Sequence, residues 1–300
     1  MAERLSFEDQ ISKNKLKSFI LMLIIFFFII GLGMLISQVV DPGLFYVFTI
    51  FATIFSIVYV WAGYYFSDKI ALSSINAKPA SQTQHRMLFN AVKNMSLASG
   101  LPMPKVYVMD SKEINAFASG RSPEHAVICV TSGALEKLNK QELEGVIAHE
   151  MSHIANFDIR FMTLTAVLVG ILSIIAQMFL RSLWFGSGDR EKGKGNAILM
   201  IVAIVAAILA PIAAQLVQLA ISRKREYGAD ATGVKFTRYP KGLRDALIKI
   251  KNEHIPQEET RRYNKAVAPL FISDPFKKKV QNLFSTHPDI NDRIKKLEAM

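Results

Sequence analysis

His149-Glu150-Met151-Ser152-His153, near the end of a run that opens at Asn139, decides how this chain is read. On a helix, residues i and i+4 lie one turn apart on the same face, so His149 and His153 can aim ring nitrogens at one point. Glu150 is turned about a quarter of the circumference away, where its carboxylate reaches a water in the site rather than that shared point. Two imidazoles so spaced, with a carboxylate between them, are the arrangement of a helical zinc hydrolase centre in which the carboxylate is the general base. Asn139 with Glu142 three residues on has the form of a capping box that opens this helix. Nothing before Phe161 breaks the pattern, so the helix is expected to run straight on into the apolar stretch that follows. His153 then lies about 10–12 Å of helix rise before that stretch.

Composition places the helix in a membrane setting. Of 300 residues, 51% are hydrophobic, and the mean hydropathy is +0.24, more than a water-soluble enzyme requires. A span needs about 20 apolar residues. Four stretches qualify by length: 19–40, 44–66, 161–180 and 197–221, the last two interrupted only by Gln177, Gln215 and Gln218, with Pro211 as a kink. The first is too long for a cleavable signal core, and Asp41-Pro42-Gly43 reads as a hairpin turn.

Arg4, Lys13, Lys15 and Lys17 precede the first span and Lys69 follows the second, while the turn between them has no Lys or Arg, so both ends of this hairpin read as cytoplasmic. Around the second hairpin, Arg181, Arg190, Lys192 and Lys194 argue the other way, and Arg223, Lys224 and Arg225 agree with the first. Early spans usually dominate. The net charge of +11 is scattered among apolar spans, which suits cations facing anionic lipid and speaks against nucleic acid. Cys129 stands alone in an apolar run, which makes it a buried strand residue.

Two polar segments remain, 67–160 and 222–300, and they must meet on one side to make one domain. Helical spacing covers 82–99, strands are expected at 105–109 and 125–131, and further helices at about 222–237, 240–253 and 289–299, with a loop from 253 to 269. Strand 125–131 is expected to be an exposed edge that takes substrate as an added strand. A catalytic zinc usually has three protein ligands. Glu226, just past the fourth span, is the best candidate, because a membrane hairpin returns it to the level at which His153 left. Asp230, one turn further, is placed to accept the second ring N–H of a zinc-bound histidine. Asp158 and His287 are rivals for the third ligand, although Asp158 faces away on a continuous helix.

The segment Ala148 to Asp158, the later Glu226-x-x-x-Asp230, Ser285-Thr286-His287-Pro288 and the four-span layout together resemble the HtpX-type membrane metalloproteases of bacteria, relatives of the eukaryotic CAAX prenyl endopeptidases. The resemblance implies an α+β, gluzincin-like zinc peptidase domain on four transmembrane helices. It implies a multi-pass protein of the bacterial plasma membrane, its catalytic domain and both termini cytoplasmic. One Zn²⁺ per chain and damaged or misassembled membrane proteins as substrates are implied with it. Asn115, His287 and Arg293 are placed by it around the active site.

The expected division is 1–66 (first hairpin), 67–160 (catalytic part with the histidine helix), 161–221 (second hairpin) and 222–300 (catalytic part with the third ligand). Zn²⁺ on His149, His153 and Glu226, Glu150 as base and His287 as oxyanion donor make the expected machinery. Two other classes compete. A catalytically silent membrane scaffold would not need Glu150, and a transporter with a regulatory zinc would carry ionisable residues well inside the spans, where none is found.

Overall fold

The computed structural model describes residues 7–40, 42–166, 223–253, 271–272 and 288–300. The first apolar stretches fold as helices α1 (Phe7–Val40) and α2 (Phe45–Tyr65), joined by the short turn Pro42–Leu44 and packed on each other. Their apolar windows, Ile11–Met34 and Pro42–Tyr65, are each long enough to cross a bilayer. Tyr46, Phe51, Ile54 and Trp61 of α2 are exposed, a surface that suits hydrocarbon rather than water. Of the third expected span, residues 161–166 are helical and buried, Met162 and Ala166 packing with Phe117, Val127 and Cys129. The rest of that span, the fourth span, the Pro211 kink and most of the 253–269 loop lie outside the described residues.

A short helix α3 (Ser67–Ser74) leads from α2 to a small sheet. The sheet contains β1 (Lys78–Pro79), β2 (Lys105–Met109), β3 (Ala116–Gly120) and β4 (Ala126–Thr131), in the order β1-β2-β4-β3. Between β1 and β2 lies α4 (Arg86–Ser99), closed by Gly100 at φ +72°. β4 pairs parallel with β2, Tyr107 opposite Cys129, and antiparallel with β3, Phe117 opposite Cys129. This corrects the expected exposed edge at 125–131: both edges of β4 are paired and all its residues are buried. The edge strands are β1 and β3, and β3 lies beside β4. The alanines and glycine of β3 gave no strand periodicity, so it escaped the sequence reading.

After α5 (Ser132–Lys137) comes α6 (Lys140–Ala155), the histidine helix. Both halves of its capping box form, with Asn139 Oδ1 accepting from Glu142 N–H and Glu142 Oε2 accepting from Asn139 N–H. From Gly145 to Ala155 every residue of α6 is buried. It is covered by α4, β3, α8 (Arg223–Thr237) and α9 (Pro240–Asn252), while α10 (Ile290–Glu298) packs on α9 and α8. A Cβ at Gly145 would lie 2.4 Å from Leu243 N, so only glycine lets the backbones of α6 and α9 touch there.

The expected uninterrupted helix is also corrected. α6 stops at Ala155, Phe157 takes a left-handed φ of +58°, and a new helix, α7, runs over 158–166. That conformation costs a bulky residue about 1–3 kcal/mol. It persists where the Phe157 ring is held between cations, with Lys15 Nζ 4.4 Å and the Arg160 guanidinium 5.2 Å from its centre.

Candidate metal centre

The centre is built where α8 crosses α6. Glu226, Asp230 and Gly233 follow one another at i, i+4 and i+7 and so share one face of α8. Gly233 sits against the backbone of α6, where an added Cβ would lie 3.1 Å from His149 N. This contact brings the two carboxylates of that face over the histidines. Glu226 Oε2 lies 3.6 Å from His149 Nε2 and Glu226 Oε1 3.7 Å from His153 Nε2, and the two Nε2 atoms are 3.2 Å apart. One ligand atom from each of these three residues falls within 4.8 Å of the others.

Each imidazole is held from behind by a carboxylate. Asp230 Oδ1 is 2.9 Å from His149 Nδ1, and Asp158 Oδ2 is 3.0 Å from His153 Nδ1. An acceptor there keeps the ring proton on Nδ1 and turns the Nε2 lone pair inward. Arg293, from α10, grips Asp230 with a fork, Nε to Oδ2 at 2.9 Å and Nη2 to Oδ1 at 2.7 Å, and its Nη1 stands 3.5 Å from Glu226 Oε2. Arg225 Nε lies 3.1 Å from Asp158 Oδ1.

His149, Glu150, His153, Asp158, Glu226, Asp230 and Arg293 are all 0–3% exposed, so their electrostatics are those of an interior. Burial lifts the Glu150 carboxyl to about 7, with the neighbouring Glu226 charge adding to the rise and His153 and an Ala118 backbone hydrogen bond opposing it. Burial pushes His149 down. For His153 burial acts downward too, but the hydrogen bond to Asp158 and the charge of Glu226 outweigh it and raise the ring to about 9. Burial would raise Asp230, yet Arg293 and His149 hold it at about 2.

The two Nε2 atoms and the Glu226 carboxylate converge at these distances on one point, where a single cation would be held by all three. Among the described residues around the imidazoles, the carboxylates of Glu150, Asp158, Glu226 and Asp230 also outnumber the guanidinium groups of Arg225 and Arg293. The donor set fits Zn²⁺, which takes histidine nitrogen and glutamate oxygen.

Several sequence readings change here. Asp158 does not face away: the break at Phe157 turns it back onto His153, as its carboxylate partner rather than as a member of the converging His149–His153–Glu226 set. Asn156 was the available signal, since Asn favours helix ends. Arg225, read above as a membrane-flanking cation, is buried against Asp158. Arg293 belongs behind the centre, on its carboxylates. Asn115 is buried before β3, its Oδ1 accepting from Ala116 N–H and its backbone engaging Thr131. His287 lies outside the described residues.

A helix-borne His/His/Glu donor set over an α+β core, with a carboxylate next to the first histidine, defines a class: metal-dependent peptidases. Residues 82–300 match the model of Peptidase family M48. The chain is 48% identical over 255 residues to a "Protease HtpX homolog" of Caldanaerobacter subterraneus, covering 84% of each chain. To a protein of that description from Dictyoglomus thermophilum it is 41% identical over 295 residues, 98% of this chain and 95% of the other. The crystal structure of S. mikatae Ste24p is similar at a TM-score of 0.47 and 20% identity, covering 95% of this chain and 66% of that one. The chain belongs to peptidase family M48 and is a membrane metalloprotease.

Proposed function

We propose that this chain is a zinc endopeptidase of the bacterial plasma membrane that cleaves damaged or misassembled membrane proteins on the cytoplasmic side. The observation that carries the reading is the convergence of His149, His153 and Glu226 within 4.8 Å, with the buried Glu150 one residue past the first histidine. Those three residues would hold the metal. Bound there, Zn²⁺ supplies Lewis acidity, which lowers the pKa of a water and polarises a peptide carbonyl.

The chain's own groups do the rest. Glu150, its carboxyl raised to about 7, is matched to take a proton from the attacking water near neutral pH and hand it to the leaving amine. Asp230 and Asp158 fix the orientation of the two imidazoles. Arg293 offsets the charge of Asp230 and of Glu226 in a dry interior. His287 as a donor to the oxyanion and Asn115 as a substrate contact rest on the resemblance alone. The cytoplasmic side rests on the Lys/Arg bias around α1 and α2, and the substrate class on what the resemblance implies.

Glu150→Gln tests the chemistry on purified protein in detergent. Turnover of a peptide or casein substrate should fall by roughly 10²-fold or more, because the proton acceptor is gone, while zinc content stays near wild type. Activity retained in this variant would end the reading.

A further inference from the structure

Asn14 is a buried amide on the N-terminal membrane helix, and both of its side-chain donor bonds end on the segment that leaves the histidine helix. Its Nδ2 donates to Asn156 O at 2.9 Å and to Asp158 Oδ1 at 2.7 Å. Asp158 in turn holds His153 Nδ1 through its other oxygen at 3.0 Å. One turn along α1, Ser18 Oγ donates to Asn14 O at 2.8 Å. Next to Asn14, Lys15 lies over the ring of Phe157, the residue whose left-handed conformation breaks the helix.

We infer that Asn14 is a positioning residue for His153, so that the metal centre is assembled partly on the first membrane helix. This rests on the reading of His153 as a metal ligand. Helix packing alone would be served at position 14 by an apolar side chain of the same size. The amide does something that such a side chain cannot. It caps a carbonyl at the end of α6, where backbone acceptors have no helical partner, and it fills one side of Asp158 Oδ1 while Arg225 fills another. With Oδ1 occupied, the carboxylate presents Oδ2 to His153 in one fixed orientation. Asp158 holds the ring, and Asn14 holds Asp158.

The test compares wild type, Asn14→Leu, which keeps the volume and removes both donors, and Asn14→Asp, which keeps polarity but sets a like charge against Asp158. Leu16→Ala, at an exposed position of α1, is the control. The full chain in detergent is titrated with zinc against a chromophoric chelator, its Co²⁺ form is examined by visible absorption, and thermal unfolding is followed with and without zinc. Direct outer partners of zinc-bound histidines are typically worth 10–100-fold in affinity. Asn14, one bond further out, should be worth about 3–10-fold, with an altered Co²⁺ spectrum and a smaller zinc-induced rise in Tm. In an Asp158→Asn background, Asn14→Leu should add less than it does in wild type.

Zinc affinity and Co²⁺ spectra equal to wild type would overturn the inference. So would a Tm lowered equally with and without zinc, or failure of both Asn14 variants to accumulate folded protein while Leu16→Ala does. Failure of the underlying reading looks different, because wild type itself would then bind no zinc, or Glu226→Gln would bind it equally well.

Discussion

From Gly145 on, helix α6 hides its charges, and helix α2 displays its hydrophobes. In α6, Glu150 and both histidines are buried along with every neighbour from Gly145 to Ala155. In α2, large apolar residues such as Phe51 and Ile54 face outward. Unpaired charge would be costly in the interior that holds α6, and the apolar surface of α2 would be costly in water. Buried charge is tolerated where it is paired and hydrogen-bonded, and α6 meets that condition through carboxylates and guanidinium groups supplied by α7, α8 and α10. Exposed apolar surface is tolerated where the solvent is lipid. α6 therefore depends on side chains far away in sequence, and α2 depends on its surroundings more than on any one partner.

The sharpest way to break the first half of that comparison is Glu226→Gln. A neutral amide is a poor zinc ligand, so zinc affinity should fall by more than the roughly 10–100-fold typical of an outer partner, and peptidase activity should go with it. Metal analysis and cleavage on one preparation check this, and full zinc with full activity would end the assignment of the third ligand. Arg293→Ala comes next. It leaves Asp230 and Glu226 without their buried countercharge, which should destabilise the chain by about 3–5 kcal/mol, read as a lowered Tm even in metal-free protein.

The second half is attacked at the lipid-facing surface. Ile54→Lys puts a charge near the middle of the second span and should cost about 2.5–3.5 kcal/mol in membrane insertion. The extractable fraction of the expressed protein measures it, and wild-type insertion would mean that α2 does not face lipid. Chelation then separates the regions. Stripping zinc present at about 100-fold over its Kd should remove about 2.7 kcal/mol of stability, and hydrogen exchange should show the loss in α6 and α8 rather than in α1 and α2. The smallest effect belongs to Phe51→Leu. An apolar exchange on the lipid side should change stability by no more than about 0.5 kcal/mol.

Much of this was legible in the sequence because it depends on local periodicity. The i, i+4 spacing of His149 and His153, the capping box at Asn139 and Glu142, the spacing of Glu226 and Asp230, and the apolar lengths of α1 and α2 all follow from how side chains repeat along a helix. β3 was missed because a strand with small residues, buried on all sides, has no alternation to detect. The edge assignment of β4 failed because strand order is set by pairing between segments and leaves no mark within one of them.

That His149 and His153 share one face with Glu150 beside them followed from local sequence alone, since residues one turn apart on a helix must align. What stands behind them came from packing. Asp158 became a partner of His153 because the chain turns at Phe157, Arg293 reached Asp230 across 63 positions, and Asn14 reached Asp158 across 144. Such contacts follow from where separately formed elements pack, and no periodicity within either partner encodes them. Burial then gives them their strength, because a charge withdrawn from water must find its counterpart in whatever the fold has brought beside it.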